Sequence, residues 1–582
     1  MQVLGADISD LVFDYLNNKD FVGKEYSYIN KEIERVCGCK SFFPSQDQYL
    51  LFKEELERTE KFCFSDYRAE YGDFQTNMAL AEQVTKHLSA KGVKPEAVIE
   101  PTCGKGNFIL AALRYFPTIK QIIGIEIYSQ YVWQCKINIL DYFLSNPQAN
   151  KPAIQIIRAN VFEIDFNMLK KQISNSNILV LGNPPWVTNS MLGALDSTNL
   201  PQKTNFKKQK GLDAITGKGN FDIAEYIIIS LIKSFETSDG CLSFLVKNSV
   251  IKNIIYEQCK NRFHISDLEE LNIDCKKEFN VSVDASLFFC TFNSQPALHC
   301  QVYDFYNGNA LKKFGWVKGG FYSDIQADDS LENIDGKSSM VWRQGIKHDC
   351  SNVMEMEREG GLFRNKLNES FELEEDLVFG LLKSSDLKAQ VVNNSKKYTI
   401  VTQRYVGQKT DHLVNYPKTY KYLQKHIDEF RKRKSTIYQG NPDFSIFGIG
   451  DYSFKPYKVA ISGLYKTMHF TLIMPQEKPL MVDDTCYFLS FDSLKDAVAV
   501  HTLLNTEITR SFLKSITFPD AKRMITKEAL MRVDLAKALE FSNRSQLIKE
   551  ANAVFSTIND KASIKAEDFD FIDKKDVQLE LF

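Results

Sequence analysis

From about residue 71 to residue 295 the chain alternates short apolar runs with amphipathic stretches, and this alternation limits the folds open to it. The strand-like runs are AVIEPTCGKGNF, QIIGIEIY, IQIIRANVF, NILVLGNPPW, GCLSFLVKN and ASLFFCTF. The stretches between them have the spacing of helices with one apolar face. Strands that alternate with helices form mainly parallel sheets covered by helical layers. We therefore predict a doubly wound α/β sheet in this region.

The 582 residues exceed what one hydrophobic core usually holds, so we expect several domains. Residues 1–70 are charged and have helical spacing, which predicts an N-terminal helical segment. The α/β region is expected to extend over 71–300. Residues 301–545 are less regular and richer in aromatic side chains, which favours a mixed α+β domain. Residues 546–582 predict a polar C-terminal tail that is loosely attached.

Charge and cysteine usage exclude several classes of protein. The formal net charge is -2, so any site for a polyanion has to be a local patch. The 12 cysteines include no CxxC pair, which favours reduced thiols over a zinc or disulfide framework. No apolar run approaches the ~20 residues that cross a bilayer, and the N-terminus does not resemble a signal peptide. We expect a soluble cytoplasmic protein with no membrane partner and no metal.

A candidate nucleotide site begins at VIEPTCGKGNF, residues 98–108, which reads as a strand, a small-residue turn and a helix start. Gly104 and Gly106 allow backbone N–H groups to approach a ligand at the carboxyl edge of a sheet. Glu126 ends the next apolar run about 20 residues later, where a carboxylate can accept both hydroxyls of a ribose. A tight turn followed by an exposed glutamate is the alternative. Glu100 would repel phosphates and suit a cation, which favours S-adenosyl-L-methionine over NAD.

A second motif, GNPPW at 182–186, ends a buried run with two prolines that cannot continue a sheet ladder. Along the chain FQTN, EPTCGKGNF, GIEI, RANVF, GNPPW, GNFDIAEY, GCLSFLVKN and FNVSVDASLFF follow one another. In this order the chain resembles the gamma-class, Taq-type adenine-N6 DNA methyltransferases over about residues 70–295. The resemblance implies a Rossmann-like S-adenosylmethionine-dependent methyltransferase domain at 71–300. It also implies a target-recognition, DNA-binding domain at 301–545.

In such a site GNPPW is the expected catalytic loop. The exocyclic amine of adenine is a poor nucleophile, because its lone pair is delocalised into the ring. The side-chain oxygen of Asn183 and the carbonyl of Pro184 would accept its hydrogens and free that lone pair, while Pro185 stiffens the loop. Trp186 would stack on a base flipped out of the duplex, worth about 1–3 kcal/mol. Phe279 matches a second aromatic that holds the base; a core aromatic is the alternative.

The same resemblance implies a cofactor pocket made of residues from several motifs. These are Thr76, Glu100, Thr102, Cys103, Gly104, Glu126, Ile127, Asn160, Val161 and Asn183. Asn160 departs from the family, which has an aspartate there to accept from the adenine amine of the cofactor. Because an amide oxygen can still accept a hydrogen bond, we expect weaker binding rather than none.

Base flipping requires a compensating grip on the duplex, and basic segments are the candidates for it. The segment 203–218, KTNFKKQKGLDAITGK, contains Lys207 and Lys208 and is either a mobile lid over DNA or a solvated loop. The segment 418–435, KTYKYLQKHIDEFRKRKS, predicts one helix and its end, and Arg431 and Arg433 in it suit phosphate contacts.

Two further DNA contacts are predicted in the C-terminal half. The segment 447–466, FGIGDYSFKPYKVAISGLYK, alternates aromatics, glycines and lysines as a DNA-facing β-layer would. Lys458 in this segment and Arg404 upstream of it are chosen as base contacts by residue type alone.

The sequence thus predicts a site-specific methyltransferase that acts on N6 of adenine in double-stranded DNA. It is expected to be solitary or partnered with a separate restriction endonuclease. An RNA or protein-glutamine methyltransferase with the same NPP chemistry is an alternative, although such enzymes usually lack a long C-terminal half. A catalytically silent DNA-specificity module is another. Cytosine-N4 transfer also stays open, although those enzymes more often have serine in place of Asn183.

Overall fold

The computed structural model describes residues 2–57, 75–173, 176–188, 222–326, 333–519 and 523–573. The chain divides into two compact units, Met1–Phe321 and Tyr322–Phe582. Within the described ranges no helix combines the length and the apolar character needed to cross a membrane. The predicted lid at 203–218, with Lys207 and Lys208, lies outside the described residues.

A small N-terminal module opens the first unit. It comprises β1 (Gln2–Val3), β2 (Ala6–Asp7), α1 (Asp10–Leu16), α2 (Tyr26–Cys37) and α3 (Gln46–Glu57). Phe42, Phe43 and Phe52 from this module surround the Trp133 indole, with ring centroids 5.5–6.1 Å from it. The module therefore shares the core of the α/β region.

The main sheet of the first unit contains ten strands. They are β3 (Ala97–Glu100), β4 (Gln121–Glu126), β5 (Ala153–Arg158), β6 (Ile178–Gly182), β7 (Gly240–Lys247), β8 (Ser266–Asn272), β9 (Ala285–Thr291), β10 (His299–Asp304), β11 (Ala310–Val317) and β12 (Gly320–Tyr322). Their order is β12-β11-β10-β8-β9-β7-β6-β3-β4-β5. Strands β3 to β7 pair in parallel, and β9 is antiparallel to both of its neighbours. The predicted doubly wound α/β sheet is confirmed.

Helices that alternate with these strands form two packed groups. They are α4 (Met78–Ala90), α5 (Asn107–Tyr115), α6 (Ser129–Ser145), α7 (Phe166–Gln172), α8 (Ile223–Phe235), α9 (Asn248–Asn261) and α10 (Cys275–Phe279). Helix α5 packs against α4 and α6, and α8 packs against α7 and α9. Strands β3 and β6 are fully buried, as expected for parallel strands covered on both faces.

The topology creates one reversal point. From β3 the chain adds β4 and then β5 on one side, and it returns to add β6 and β7 on the other side. Ligands of open α/β sheets bind outside the carboxyl ends of the strands at such a reversal. The glycine turn after β3 and the GNPPW loop after β6 both lie at this point.

The second unit is a mixed α+β structure with two sheets. The five-stranded sheet has the order β13-β23-β20-β21-β18, and the six-stranded sheet has the order β16-β15-β14-β19-β17-β22. The strands are β13 (Arg343–Gln344), β14 (Glu355–Glu359), β15 (Leu362–Asn365), β16 (Ser370–Phe371), β17 (Val378–Leu382), β18 (Val391–Val392), β19 (Lys397–Ile400), β20 (Tyr457–Ser462), β21 (Thr471–Ile473), β22 (Met481–Val482) and β23 (Cys486–Phe491). The helices are α11 (Ser351–Met354), α12 (Pro417–Lys425), α13 (Ile427–Arg431), α14 (Leu494–Leu504), α15 (Glu507–Ile516), α16 (Lys527–Met531), α17 (Leu535–Glu540), α18 (Arg544–Thr557) and α19 (Asp570–Asp573).

The end of the first unit and the end of the second unit both differ from the predictions. The boundary expected at residue 300 falls inside β10, because the main sheet continues through β11 and β12. The tail is also packed, not loose, up to residue 573. Helix α18 contacts α14, and Phe555, Phe569 and Ile572 are each 1% exposed.

Candidate active site

A single pocket at the reversal point brings together every predicted cofactor residue. Its walls include Thr76, Glu100, Thr102, Cys103, Gly104, Glu126, Ile127, Asn160, Val161 and Asn183, together with Pro185 from the predicted catalytic loop. The sequence reasoning did not single out Gln75, Pro101, Asn107, Phe108, Tyr128, Tyr131, Ala159, Phe162, Val187, Ile223 and Ile227, which also line it. Most of these lie inside the quoted motifs, including Ile223 in GNFDIAEY. Ile227 follows that motif on α8.

The glycine turn holds the Glu126 carboxylate in place. Gly104 and Gly106 have φ angles of 50° and 82°, a left-handed backbone that favours glycine. The Gly104 N–H donates to Glu126 Oε2 at 2.9 Å, and the Tyr128 N–H donates to Oε1 at 2.8 Å. These two bonds fix both oxygens at the end of β4, so the carboxylate is oriented before any ligand arrives.

Glu100 is a buried carboxyl at the end of β3. It is 3% exposed, and its Oε2 has no hydrogen-bond partner among the described residues. Burial raises the pKa of Glu100 well above its usual value, and the Cys135 thiol and the Glu126 carboxylate raise it further. A cation bound beside Glu100 would oppose these effects, whereas an anion would add to them.

Asn160 uses its side chain to cap a short turn. Its Oδ1 accepts from the Phe162 N–H at 3.2 Å and caps the 3₁₀ turn Val161–Glu163. The amide oxygen, which was predicted to receive the cofactor's adenine amine, is therefore already an acceptor in a local bond. A further hydrogen bond would have to use its second lone pair.

Asn183 is held by two threonines. Its Nδ2 donates to Thr76 Oγ1 at 3.1 Å, and Thr102 Oγ1 donates to the Asn183 main-chain oxygen at 3.4 Å. Asn107, the first residue of α5, donates through Nδ2 to the Thr76 carbonyl at 2.8 Å. The cofactor turn and the GNPPW loop are thus joined through Thr76 and Thr102.

The two predicted aromatics are neighbours, but Trp186 differs from the expectation. Its indole is 4% exposed, donates through Nε1 to the Leu245 carbonyl at 3.2 Å, and packs into the core of the first unit. Phe279, at the end of α10, is half-buried and meets Trp186 edge to face with centroids 5.0 Å apart. The indole therefore lacks the open face that base stacking requires, because the core takes it up.

The end of the GNPPW loop is tied to α8 and β7. The Ile223 N–H donates to the Val187 carbonyl at 2.9 Å, and Thr188 forms an antiparallel bridge with Asp222. Asp222 caps α8 through a bond from the Ala224 N–H and pairs with Lys247 Nζ at 2.7 Å. Sequence spacing gave no signal for this ion pair.

Two of the predicted DNA contacts in the second unit are exposed. The Arg404 guanidinium lies over the Phe454 ring at 4.4 Å and has no ion pair within the described residues. Arg431 is exposed but pairs with Asp443 at 3.1 Å. The segment that contains Arg431 forms two helices, α12 and α13, instead of the single helix predicted.

Two other predicted DNA contacts are contradicted. The Arg433 guanidinium donates to the carbonyls of Phe430, His348, Ser445 and Asp443, so it fastens the fold. Lys458 is completely buried in β20, where its Nζ donates to the Lys455 carbonyl at 2.9 Å. The predicted DNA-facing β-layer is contradicted in the same way, since all residues of β20 except Tyr457 are buried.

Comparisons with known proteins add to this geometry. The type II methyltransferase M.NspV from Nostoc sp. is 41% identical to this chain over 472 residues, which is 80% of this chain and 97% of M.NspV. The type IIL restriction–modification enzyme MmeI, solved in complex with DNA, matches with a TM-score of 0.51 at 13% identity, over 92% of this chain and 70% of that one. The second likeness concerns the fold alone. No family model matches the chain.

Proposed function

The chain belongs to the type II methyltransferase family that M.NspV represents, and from this premise we propose its reaction and substrate. The chain is a DNA methyltransferase of restriction–modification type. It transfers a methyl group from S-adenosyl-L-methionine to N6 of an adenine flipped out of double-stranded DNA. It works alone or beside a separate restriction endonuclease.

One observation carries the proposal: Asn183 shares a pocket with the glycine turn and with Glu126. The pocket lies at the carboxyl ends of the neighbouring parallel strands β3 and β6, where the strand order reverses. An amide acceptor followed by two prolines, next to a site suited to a nucleoside, is the arrangement that amine methylation needs. Methyl transfer between bound partners depends mainly on positioning.

The residues present fit S-adenosyl-L-methionine. Its ribose hydroxyls can donate to the fixed carboxylate of Glu126, and its ammonium can lie beside Glu100, whose Oε2 has no other hydrogen-bond partner within the described ranges. Gly104 suits a close approach of the backbone, since its φ is 50° and a Cβ there would come within 2.5 Å of Gln75 Oε1. When bound, the cofactor supplies an electrophilic methyl group on a sulfonium.

The chain's own contribution is to hold and polarise the target amine. Asn183 Oδ1 and the Pro184 carbonyl accept the two amine hydrogens, which draws the nitrogen toward tetrahedral geometry and exposes its lone pair. Thr76 keeps the Asn183 amide turned so that its Nδ2 faces away from the base. As the new N–C bond forms, the bond between the methyl group and sulfur breaks, and the amine releases one proton to solvent. This displacement requires no covalent nucleophile from the protein.

The aromatic contacts are assigned according to burial. Phe279 is the more exposed of the pair and holds the flipped base. Trp186 anchors the loop through its N–H and supports Phe279 edge-on. In the second unit Arg404 contacts the duplex, since it is exposed, whereas the charge of exposed Arg431 is offset by Asp443.

The test is single-molecule sequencing of DNA from a methylation-free host that expresses either the wild-type chain or Asn183→Ala. We expect N6-methyladenine in one short motif with the wild type only. Asn183→Ala should still bind S-adenosyl-L-methionine in calorimetry, because the amide is assigned to the base and not to the cofactor.

The other outcomes assign the alternatives. N4-methylcytosine in the wild-type genome would show that the target base is wrong. An unmodified genome from a wild-type chain that binds the cofactor would point to RNA or protein glutamine as substrate. An unmodified genome without cofactor binding would favour a silent DNA-specificity module.

A further inference from the structure

The residues that follow the two prolines, Trp186–Thr188, are held by contacts on two sides, and we call this set of contacts the grip. On one side the Trp186 N–H donates to Leu245 O, the third residue from the end of β7. On the other side the Val187 carbonyl accepts from the Ile223 N–H at 2.9 Å. Val187 and Ile223 both line the cofactor pocket, so this grip determines part of the pocket wall as well as the course of the loop.

The grip closes through a single ion pair. Lys247 is the last residue of β7, and its Nζ lies 2.7 Å from Asp222 Oδ2. Asp222 bridges to Thr188, and its Oδ1 caps α8. The Asp222 and Lys247 side chains are 10% and 18% exposed, so the pair is largely shielded from solvent. Strand β7 thus holds Trp186 through Leu245 and holds Thr188 through Lys247 and Asp222.

We propose that the Asp222–Lys247 ion pair is a positioning device for methyl transfer, which fixes Trp186–Thr188 and, through them, Asn183 and Pro185 in the pocket wall. This inference rests on the proposed function. Neither residue lines the pocket, so both act through the loop and neither is catalytic. A displacement of about 1 Å in such a loop can lower a rate by up to about a hundredfold.

The burial of the ion pair explains why removing one partner costs free energy. Burial raises the pKa of Asp222, and Lys247 opposes that rise. Without Lys247, a carboxyl shielded from water would have to stay charged alone or take up a proton. In either case the contact that closes the grip is lost, while the cap on α8 is retained. The bond to Leu245, the Ile223–Val187 bond and the backbone bridge then remain at the loop end.

The test compares Lys247→Met and Asp222→Asn with wild type in the full chain. Asparagine keeps an oxygen to cap α8 but removes the charge. We expect the single-turnover methylation rate, at saturating S-adenosyl-L-methionine and DNA, to fall at least tenfold in both variants. Lys247→Arg keeps the charge and should stay within threefold of wild type.

Lys91→Met is the matched control. Lys91 pairs with Glu269 at 2.6 Å in the same unit, and neither residue lines the pocket. Its loss should lower the thermal midpoint about as much as the loss of Lys247 while leaving the methylation rate unchanged. If Lys247→Met and Asp222→Asn lose no more rate than Lys91→Met, the pair is merely structural and the inference is overturned.

A measurement without turnover separates this inference from the proposed function. Calorimetry with sinefungin, a non-reactive analogue of the cofactor, reports on the pocket wall at Val187 and Ile223. We expect Lys247→Met to weaken sinefungin several-fold and Lys91→Met not to. If wild type methylates no DNA but this difference persists, the proposed reaction fails and the grip stands. If wild type methylates DNA and neither rate nor sinefungin affinity changes, the grip fails alone.

Discussion

The Thr76 hydroxyl holds the nitrogen end of the Asn183 amide. It accepts from Asn183 Nδ2 at 3.1 Å, and in the proposed mechanism this leaves the amide oxygen for the target amine. A rotated amide would present donors to an amine that already carries hydrogens. The role of Asn183 therefore depends on a neighbour that never touches the base.

Thr76→Val tests this orientation. Valine keeps the shape but removes the acceptor, and losing a bond worth about 1 kcal/mol should slow methyl transfer about fivefold. Cofactor affinity should change little, because this contact is made to the amide. Thr76→Ser retains the hydroxyl and is the control. A large rise in the dissociation constant of S-adenosyl-L-methionine with an unchanged rate would instead make Thr76 a cofactor ligand.

Site residues could be predicted from the sequence where their position follows from the neighbouring residues alone. Glu126 and Asn183 each follow an apolar run, so their place at the carboxyl edge of a sheet can be read from spacing. The ion pair between Lys247 and Asp222 could not be predicted from spacing, because it forms only where β6 and β7 are neighbours. The GNPPW motif predicts base stacking by Trp186, whereas its burial depends on the surrounding core.

At the scale of elements, the strands that sequence predicted are those with continuous apolar runs. Strand β8, SDLEELN, was missed because three of its residues are acidic, although it lies between β9 and β10. Strand β11, ALKKFGWV, contains adjacent lysines near the edge of the sheet. Strands with several charged residues lack a continuous apolar run. The continuation of the main sheet past residue 295 therefore could not be predicted from the sequence.

Strand β20 differs from its prediction in the opposite sense: its lysine predicts an exposed strand, but the strand is buried and contains Lys458. It pairs with β21 on one side and β23 on the other. Burial lowers the pKa of Lys458 from 10.5 to about 7. Below pH 7 the folded core must hold a charged ammonium. Between pH 7 and 10.5 the unfolded chain binds more protons than the folded one, so the free energy of unfolding rises with pH in that window.

Lys458→Met should therefore stabilise the protein. We expect a gain of about 3 kcal/mol at pH 6.5, after allowing for the lost bond to the Lys455 carbonyl, and a gain that shrinks toward pH 10. Urea unfolding at both pH values measures it. Lys455→Met is the control, since Lys455 is partly exposed and pairs with Asp492. An equal gain at both pH values would attribute the effect to packing and not to ionisation.

At the scale of the whole molecule, a net charge of -2 leaves little long-range attraction for DNA. Much of the basic segment at 418–435 is neutralised locally, since Lys418, Lys425 and Arg431 pair with Glu372, Glu369 and Asp443. Affinity for a duplex must then depend on those cations that lack an acidic partner. Each of the two units has its own hydrophobic core.

Arg404 and Arg431 make this argument testable as a matched pair. Both are exposed arginines of the second unit, but Arg404 lies on Phe454, whereas Arg431 is paired with Asp443. Flanking Tyr405 and Val406 are 58% and 49% exposed, so the Arg404 turn presents apolar surface beside its charge. Such a combination suits contact with a nucleic acid, because the cation neutralises a phosphate while the ring or methyl groups meet a sugar or base.

Arg404→Ala should weaken binding to a duplex that contains the target motif and lower the slope of log K against log salt by about 1. Arg431→Ala should change that slope much less, because Asp443 already offsets its charge. Sinefungin affinity, measured on the same preparations, should match wild type in both variants. If the two arginines prove equivalent, local pairing does not decide which cations meet DNA. If neither matters, the duplex is held by other residues, and Arg404 and Arg431 are surface charges only.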